Sequence, residues 1–237
     1  MAGDGLQVKQ FRYASDNLGY IIYGQKSAVA VDGGAVDAML EFIDRLKLRL
    51  FYVTQTHTHP DHICGNQALI DHTGAHHLNS EALSQLNELV LDGHNINVYQ
   101  TPGHTQDSVV FYTPGYLLTG DTLFNGNVGS CFSGDMGRFF ESIKMILDFP
   151  NKTRIYAGHD YVTYSMTVAR LIDPDNPNID SFLQKYDPKC VYSSLAQERK
   201  INPYLRFDDP AILSILKAKA LPHATEYERW ASVMSLP

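Results

Sequence analysis

Seven consecutive residues, T-H-T-H-P-D-H at 56–62, constrain this chain more than any other feature it carries. Three imidazoles and a carboxylate fall between His57 and His62. In an extended or turning backbone, residues two apart face the same way. His57 and His59 are therefore placed to grip one cation, while Asp61 and His62, beyond the bend at Pro60, reach a second. A fold that accepts this segment must bring further ligands from elsewhere on rigid supports. Candidates stand at His104 in T-P-G-H-T, Asp121 in T-G-D-T-L-F and His159 in A-G-H-D-Y. Each motif follows a β-rich run, L-F-Y-V-T, N-V-Y-Q, Y-L-L-T or R-I-Y-A, and loops leaving sheet ends are where sites collect.

The intervening sequence alternates β and α patterns. L-G-Y-I-I-Y and A-V-A-V flank the turn residues G-Q-K-S and predict an opening hairpin over 18–31. Apolar residues at helical spacing predict a helix over 36–48, followed by a strand at 50–53. Helices are expected at 64–70 and at about 80–90, and T-P-G turns a hairpin between 109–112 and 116–119. At 173–178, D-P-D-N-P-N interrupts the pattern and sets an expected boundary between a domain at 1–172 and a helical C-terminal lobe at 173–237. Helical spacing recurs in that lobe at 179–186, 211–217 and 225–233.

A net charge of −7 leaves no cationic surplus for neutralising phosphates, so nucleic acid is not an expected partner. Cys64, Cys131 and Cys190 are widely spaced and odd in number, which predicts no disulfide framework and a reducing, cytoplasmic setting. No long uncharged apolar run occurs and the first residues are not basic-then-apolar, so neither membrane insertion nor secretion is expected. Oligomeric state stays open. His72, His76, His77, His94 and His223 read as ordinary hydrogen-bonding residues.

On ligand chemistry, the first ion takes His57, His59, His104 and Asp121, and the second takes Asp61, His62, His159 and the other oxygen of Asp121. The nitrogen and oxygen donors suit zinc and also accept iron or manganese. The ordered motifs H-x-H-x-D-H, P-G-H-T, G-D-T-L-F and G-H-D-Y resemble the metallo-β-lactamase superfamily, and within it hydroxyacylglutathione hydrolase, or glyoxalase II. The similarity continues through D-P-D-N-P-N-I, S-S-L-A-Q-E at 193–198 and N-P-Y-L-R at 202–206.

The resemblance implies an α/β fold, a four-layer αββα sandwich with a small helical C-terminal lobe. It also implies two divalent metal ions and a small-molecule acyl thioester substrate, S-(2-hydroxyacyl)glutathione first. Cleavage would follow attack of a metal-bridging hydroxide, with Asp61 and Asp121 in the catalytic set. Against the family pattern G-C-G-[KR]-x-[YF]-E-G, the loop after Asp121 reads as lengthened, with Met136 at the Cys position. That alignment makes Arg138 and Phe140 carrier contacts, and Tyr161 is another. Of the Arg and Lys that the family places near its C-terminus, this chain offers only Arg229. Within the same superfamily the alternatives are a mononuclear iron persulfide dioxygenase, which holds its metal with two His and one Asp, and a lactonase or other ester hydrolase. The C-terminal motifs favour the thioester hydrolase.

Overall fold

In a computed structural model, which describes residues 5–236, the chain builds two sheets laid face to face. The first has strand order β1-β2-β3-β4-β5 and comprises β1 (Gln7–Tyr13), β2 (Asn17–Tyr23), β3 (Ser27–Val31), β4 (Arg49–Thr54) and β5 (His76–Leu78). Helix α1 (Val36–Leu46) crosses from β3 to the parallel β4, and α2 (Pro60–Ile63) and α3 (Asn66–Thr73) lead on to β5. After α4 (Ser80–Gln85) come β6 (Glu88–Leu91), β7 (His94–Gln100), β8 (Val109–Thr113) and β9 (Tyr116–Gly120) of the second sheet. A small hairpin, β10 (Leu123–Phe124) and β11 (Asn127–Val128), precedes α5 (Met136–Leu147), β12 (Arg154–Ala157) and α6 (Val162–Ile172). The C-terminal region supplies α7 (Asn178–Leu183), β13 (Ser193–Ser194), α8 (Leu195–Ile201), a 3-10 turn at Pro203–Leu205, α9 (Pro210–Ala218) and α10 (Glu226–Met234).

Strand periodicity explains the layering. Tyr20 and Ile22 of β2 face Phe111 of β8 and Leu118 of β9 in the core between the sheets. Their neighbour Ile21 points the other way, onto Met39, Phe42 and Ile43 of α1. Val110 and Leu117 likewise turn outward, onto Phe139 and Ile143 of α5 and onto Trp230 of α10. Central strands are thus apolar on both faces and read as continuous hydrophobic runs, with helices outside each sheet. The metallo-β-lactamase-type αββα sandwich expected from the resemblance is the observed architecture.

Two elements differ from expectation. β1 lies ahead of the predicted hairpin and pairs with β2 from Gln7↔Tyr23 to Tyr13↔Asn17; its half-exposed residues give a weak strand signal. The helix expected over about 80–90 stops at Gln85, and Glu88–Leu91 forms a strand. Asp92 and Gly93, both left-handed at φ 50° and 83°, make the two-residue turn of the β6–β7 hairpin, a turn whose twist suits paired strands. Beyond Asp173 the chain stays tied to the second sheet: Ser193 and Ser194 pair antiparallel with Ile155 and Arg154. Leu195, Ile212 and Trp230 share one buried cluster with Val110 and Ile155. Among the described residues no helix is long and apolar enough to cross a membrane, and all three cysteines are free.

Candidate metal centre

Four loops at one edge of the sandwich meet where the motifs predict. The backbone N–H of Thr56, just past β4, donates to Asp32 Oδ1 (2.7 Å), and its hydroxyl donates to Asp32 Oδ2 (2.9 Å), so His57 leaves a fixed support. His59 is extended at φ −63°, ψ 143°, and Pro60 at the first helical position starts the single turn that carries Asp61 and His62. His104 comes from the β7–β8 loop, Asp121 follows β9 and His159 follows β12. Gly158 is a steric requirement here, because a Cβ would come within 2.3 Å of Asp121 Oδ1 and 2.7 Å of His62 Cε1.

The structure brings all seven predicted residues together in two groups. The ligand atoms of His57, His59, His104 and Asp121 lie within 4.8 Å of one another, and so do those of Asp61, His62 and His159. Asp121 faces both groups, with Oδ1 3.5 Å from His62 Nε2 and Oδ2 3.5 Å from both His104 Nε2 and His159 Nε2. The donor set fits cations. His57 Nε2 sits 2.8 Å from His59 Nδ1, His104 Nε2 3.1 Å from the same atom, and His62 Nε2 3.2 Å from His159 Nε2. Neutral imidazoles cannot satisfy so many converging lone pairs among themselves, and Asp121 Oδ1 is buried with no hydrogen-bond partner.

Outer groups fix four of the five rings. His57 Nδ1 lies 3.1 Å from Thr56 Oγ1, His62 Nδ1 3.0 Å from Asp32 Oδ2, His104 Nδ1 2.9 Å from the Ser130 carbonyl and His159 Nδ1 2.8 Å from Asp16 Oδ1. Asn17 Nδ2 donates to Asp61 Oδ2 (2.8 Å). With Nδ1 engaged outward, these four rings present Nε2 inward, the pattern by which outer groups orient metal ligands. Asp16, Asn17, Asp32 and Ser130 carry no motif of their own in the sequence reading. The one local signal is at Asp32, an acid followed by two glycines directly after a buried strand.

Electrostatics follow from burial and crowding. Burial, aided by neighbouring His62, lowers His57 to about 4, and burial also lowers His104, which keeps both rings neutral at pH 7. Burial would raise Asp121, but His62, whose Nε2 lies 3.5 Å from Oδ1, outweighs it by its charge and brings the carboxyl to about 2. Burial would lower His62, yet Asp32 and Asp121 carry it up to about 11. Without a cation, His62 supplies the balancing charge, and an incoming ion would displace that proton.

The expected carrier contacts separate. Tyr161 stacks on His159 with ring centres 4.8 Å apart and an 8° interplanar angle, and with Phe124, Tyr164 and Tyr204 it lines a groove of ≈ 290 Å³. Phe140 instead lies in the core against Phe207 and Trp230, and Arg138 is exposed in the first turn of α5, after the Asp135 N-cap. The aromatic ring that the loop after Asp121 brings to His59 and His104 is Phe132, 5.7 Å and 5.2 Å away and 70% exposed. The register of the loop explains the shift. Gly129 packs on the centre, where a Cβ would approach the Asp121 carbonyl to 2.0 Å. Aligning G-C-G-[KR]-x-[YF]-E-G with Asn127–Gly134 then requires no insertion. Gly129, Phe132 and Gly134 match, and Ser130 takes the basic position. The spacing Gly129–Phe132–Gly134 is the signal that a lengthened loop obscures.

Residues 160–234 match the family described as hydroxyacylglutathione hydrolase C-terminus. A hydroxyacylglutathione hydrolase of Chromohalobacter salexigens is 33% identical over 206 residues, covering 79% of this chain and 81% of the relative. One of Maricaulis maris is 30% identical, covering 96% of each. Among solved structures, ETHE1 from Myxococcus xanthus superposes with a TM-score of 0.69 at 23% identity, over 98% of this chain and 92% of that one. The B3 metallo-β-lactamase BLEG-1 gives 0.65 at 22% identity, over 84% and 99%. These two likenesses speak to the fold, and the fold with its His/Asp cluster marks a divalent-metal site. The sequence relatives go further, and by their identity and coverage the chain belongs to the hydroxyacylglutathione hydrolase family.

Proposed function

We propose that the protein is a dinuclear metal-dependent hydrolase that cleaves acyl thioesters, S-(2-hydroxyacyl)glutathione above all, to a hydroxy acid and a thiol. The observation that carries this reading is Asp121, whose carboxylate lies between two separate His/Asp groups, with Oδ1 towards His62 and Oδ2 between His104 and His159. His57, His59, His104 and Asp121 would hold one ion, and Asp61, His62, His159 and Asp121 the other. The donors suit zinc first, with iron or manganese acceptable. Bound divalent ions supply Lewis acidity towards the thioester carbonyl and make water nucleophilic near neutral pH.

The chain's own groups do the rest. Asp61, tethered by Asn17, is held below the usual carboxylate range, since burial is outweighed by His62 and by that hydrogen bond. It therefore stays charged and serves as a ligand and not as a proton donor. A thiolate leaves readily, so the reaction needs no strong general acid. Phe132 on one side and Tyr161 on the other form aromatic walls for the acyl group and its carrier. The family match over 160–234 supports glutathione as that carrier. Free cysteines, one of them the exposed Cys64, fit a cytoplasmic setting.

The test joins metal analysis of the purified protein to thiol release from S-lactoylglutathione. Two ions per chain with thioester turnover are expected. One ion, with oxygen consumed on a glutathione persulfide and no thioester cleaved, would replace this reading with the dioxygenase.

A further inference from the structure

We propose that Glu198 is a positioning residue for the metal centre: from the C-terminal lobe it holds the turn of the β10–β11 hairpin, and through that hairpin the Ser130 carbonyl that orients His104. The inference rests on the two-ion reading above.

The hairpin cannot place itself. Its strands pair only Leu123↔Val128 and Phe124↔Asn127, and so short a ribbon has little stability of its own. Yet both its ends lie in the centre. Leu123 is two residues past Asp121, and beyond β11 Gly129 packs on the Asp121 carbonyl while the Ser130 carbonyl takes His104 Nδ1 at 2.9 Å. Apart from a bond from Asn125 Nδ2 to the Ile155 carbonyl (3.2 Å), the polar contacts that fix the turn come from residues 193–202. Glu198, fully buried on α8, accepts from the Gly126 backbone N–H (2.9 Å) and from Asn202 Nδ2 (2.9 Å). The same Asn202 amide reaches the Asn127 carbonyl (3.2 Å), and Asn125 Nδ2 donates to Ser193 Oγ (2.8 Å).

Burying a carboxyl for two such bonds gains little net stability, because desolvation offsets them. It does set a distance. The α8 helix is itself locked by a capping box between Ser194 and Gln197, so the oxygen that meets Gly126 has a rigid base. Glu198 touches neither metal ligand nor substrate groove, and its effect is transmitted through four residues of backbone to Ser130.

The experiment is chelator competition on the fully metal-loaded protein. Glu198→Met keeps the bulk without an oxygen for Gly126, Glu198→Gln keeps an acceptor, and Leu195→Ala loosens the same helix without removing a hydrogen bond to the hairpin. For Glu198→Met, one of the two ions is expected to leave at about tenfold lower chelator concentration, as loss of ligand orientation typically costs, while the other is unmoved. Glu198→Gln and Leu195→Ala should release both ions as the wild type does. Asn202→Ala frees the Asn127 carbonyl and removes one bond to Glu198 and the cap on Tyr204, but leaves Gly126 on Glu198, so it should shift the same ion by less and provides the test if the Met variant does not fold. A wild-type release profile in Glu198→Met or, should that variant not fold, in Asn202→Ala overturns the inference, as does an equal one-ion loss in Leu195→Ala. A wild type that never loads two ions overturns the proposed function instead, and this inference with it.

Discussion

Asp32 Oδ2 lies 3.0 Å from His62 Nδ1, and both side chains are wholly buried. The same carboxylate takes the backbone N–H and the hydroxyl of Thr56, so one acid at the end of β3 ties together the two halves of the H-x-H-x-D-H segment. Asp32 itself adopts a left-handed conformation, φ 54°, which aims its side chain back across the loop.

Asp32→Asn preserves the shape but removes the charge, and its amide nitrogen cannot accept where the carboxylate does. Outer groups of this kind usually contribute 10- to 100-fold in metal affinity. The expected result is that range of weakening, confined to the ion held by His62, read by chelator competition on the loaded enzyme. Unchanged affinity for both ions would leave Asp32 as a structural residue of the β3 turn.

Asp121→Ala is expected to lower metal content from two ions per chain and to abolish thioester cleavage. Removing the carboxylate leaves each group a set of imidazoles with one fewer anion, and His57, lowered to about 4, contributes no charge of its own. Elemental analysis alongside thiol release checks this. Full loading of both ions in the variant would show that the two groups do not share Asp121.

The His/Asp cluster was legible because its residues sit in short motifs, each placed by the strand before it. His104, Asp121 and His159 needed only β7, β9 and β12 to be recognised, and their apolar runs are strong signals. Asp32, Asp16 and Asn17 were not legible. Each acts through hydrogen bonds made across the tertiary structure, and an isolated Asp or Asn far more often caps a turn. Phe140 was misplaced for another reason. Choosing between Phe132 and Phe140 needs the loop register, which is set by how closely Gly129 packs on Asp121. Likewise β1 hides because it is half exposed, and β6 because four residues of E-L-V-L fit either period until the Asp92-Gly93 turn is weighed.

Phe132→Ala and Phe140→Ala should therefore part company. Phe132 is exposed against His59 and His104; if it forms a wall for the substrate as proposed, its loss should raise KM several-fold with kcat little changed, as uniform binding requires. Phe140 is core, and its truncation should cost about 3 to 5 kcal/mol of stability and leave KM alone. Steady-state kinetics on S-lactoylglutathione and urea denaturation separate the two. A raised KM in a stably folded Phe140→Ala would restore Phe140 to the substrate site.

The last prediction concerns pH. Burial raises the Glu198 carboxyl from 4.5 to about 7, against the pull of its bonds to Asn202 and the Gly126 N–H. The folded state thus binds a proton more tightly than the unfolded chain. The stability it contributes is fully present below the unfolded value, near 4.5, and is lost as pH rises through about 7. A shift of this size corresponds to at most about 3 kcal/mol. Glu198→Gln resembles the protonated form at every pH and removes the dependence. The stability difference between wild type and Glu198→Gln, measured by urea denaturation from pH 4.5 to 8, should therefore grow steadily in the variant's favour up to pH 7 and then level off. Carboxylates that ionise more readily when folded, Asp121 among them, change stability with the opposite sign, but they are common to both proteins and cancel in the difference. A difference that is flat across this range would mean that Glu198 is ionised in the folded protein, with its charge met by more than the bonds at Gly126 and Asn202.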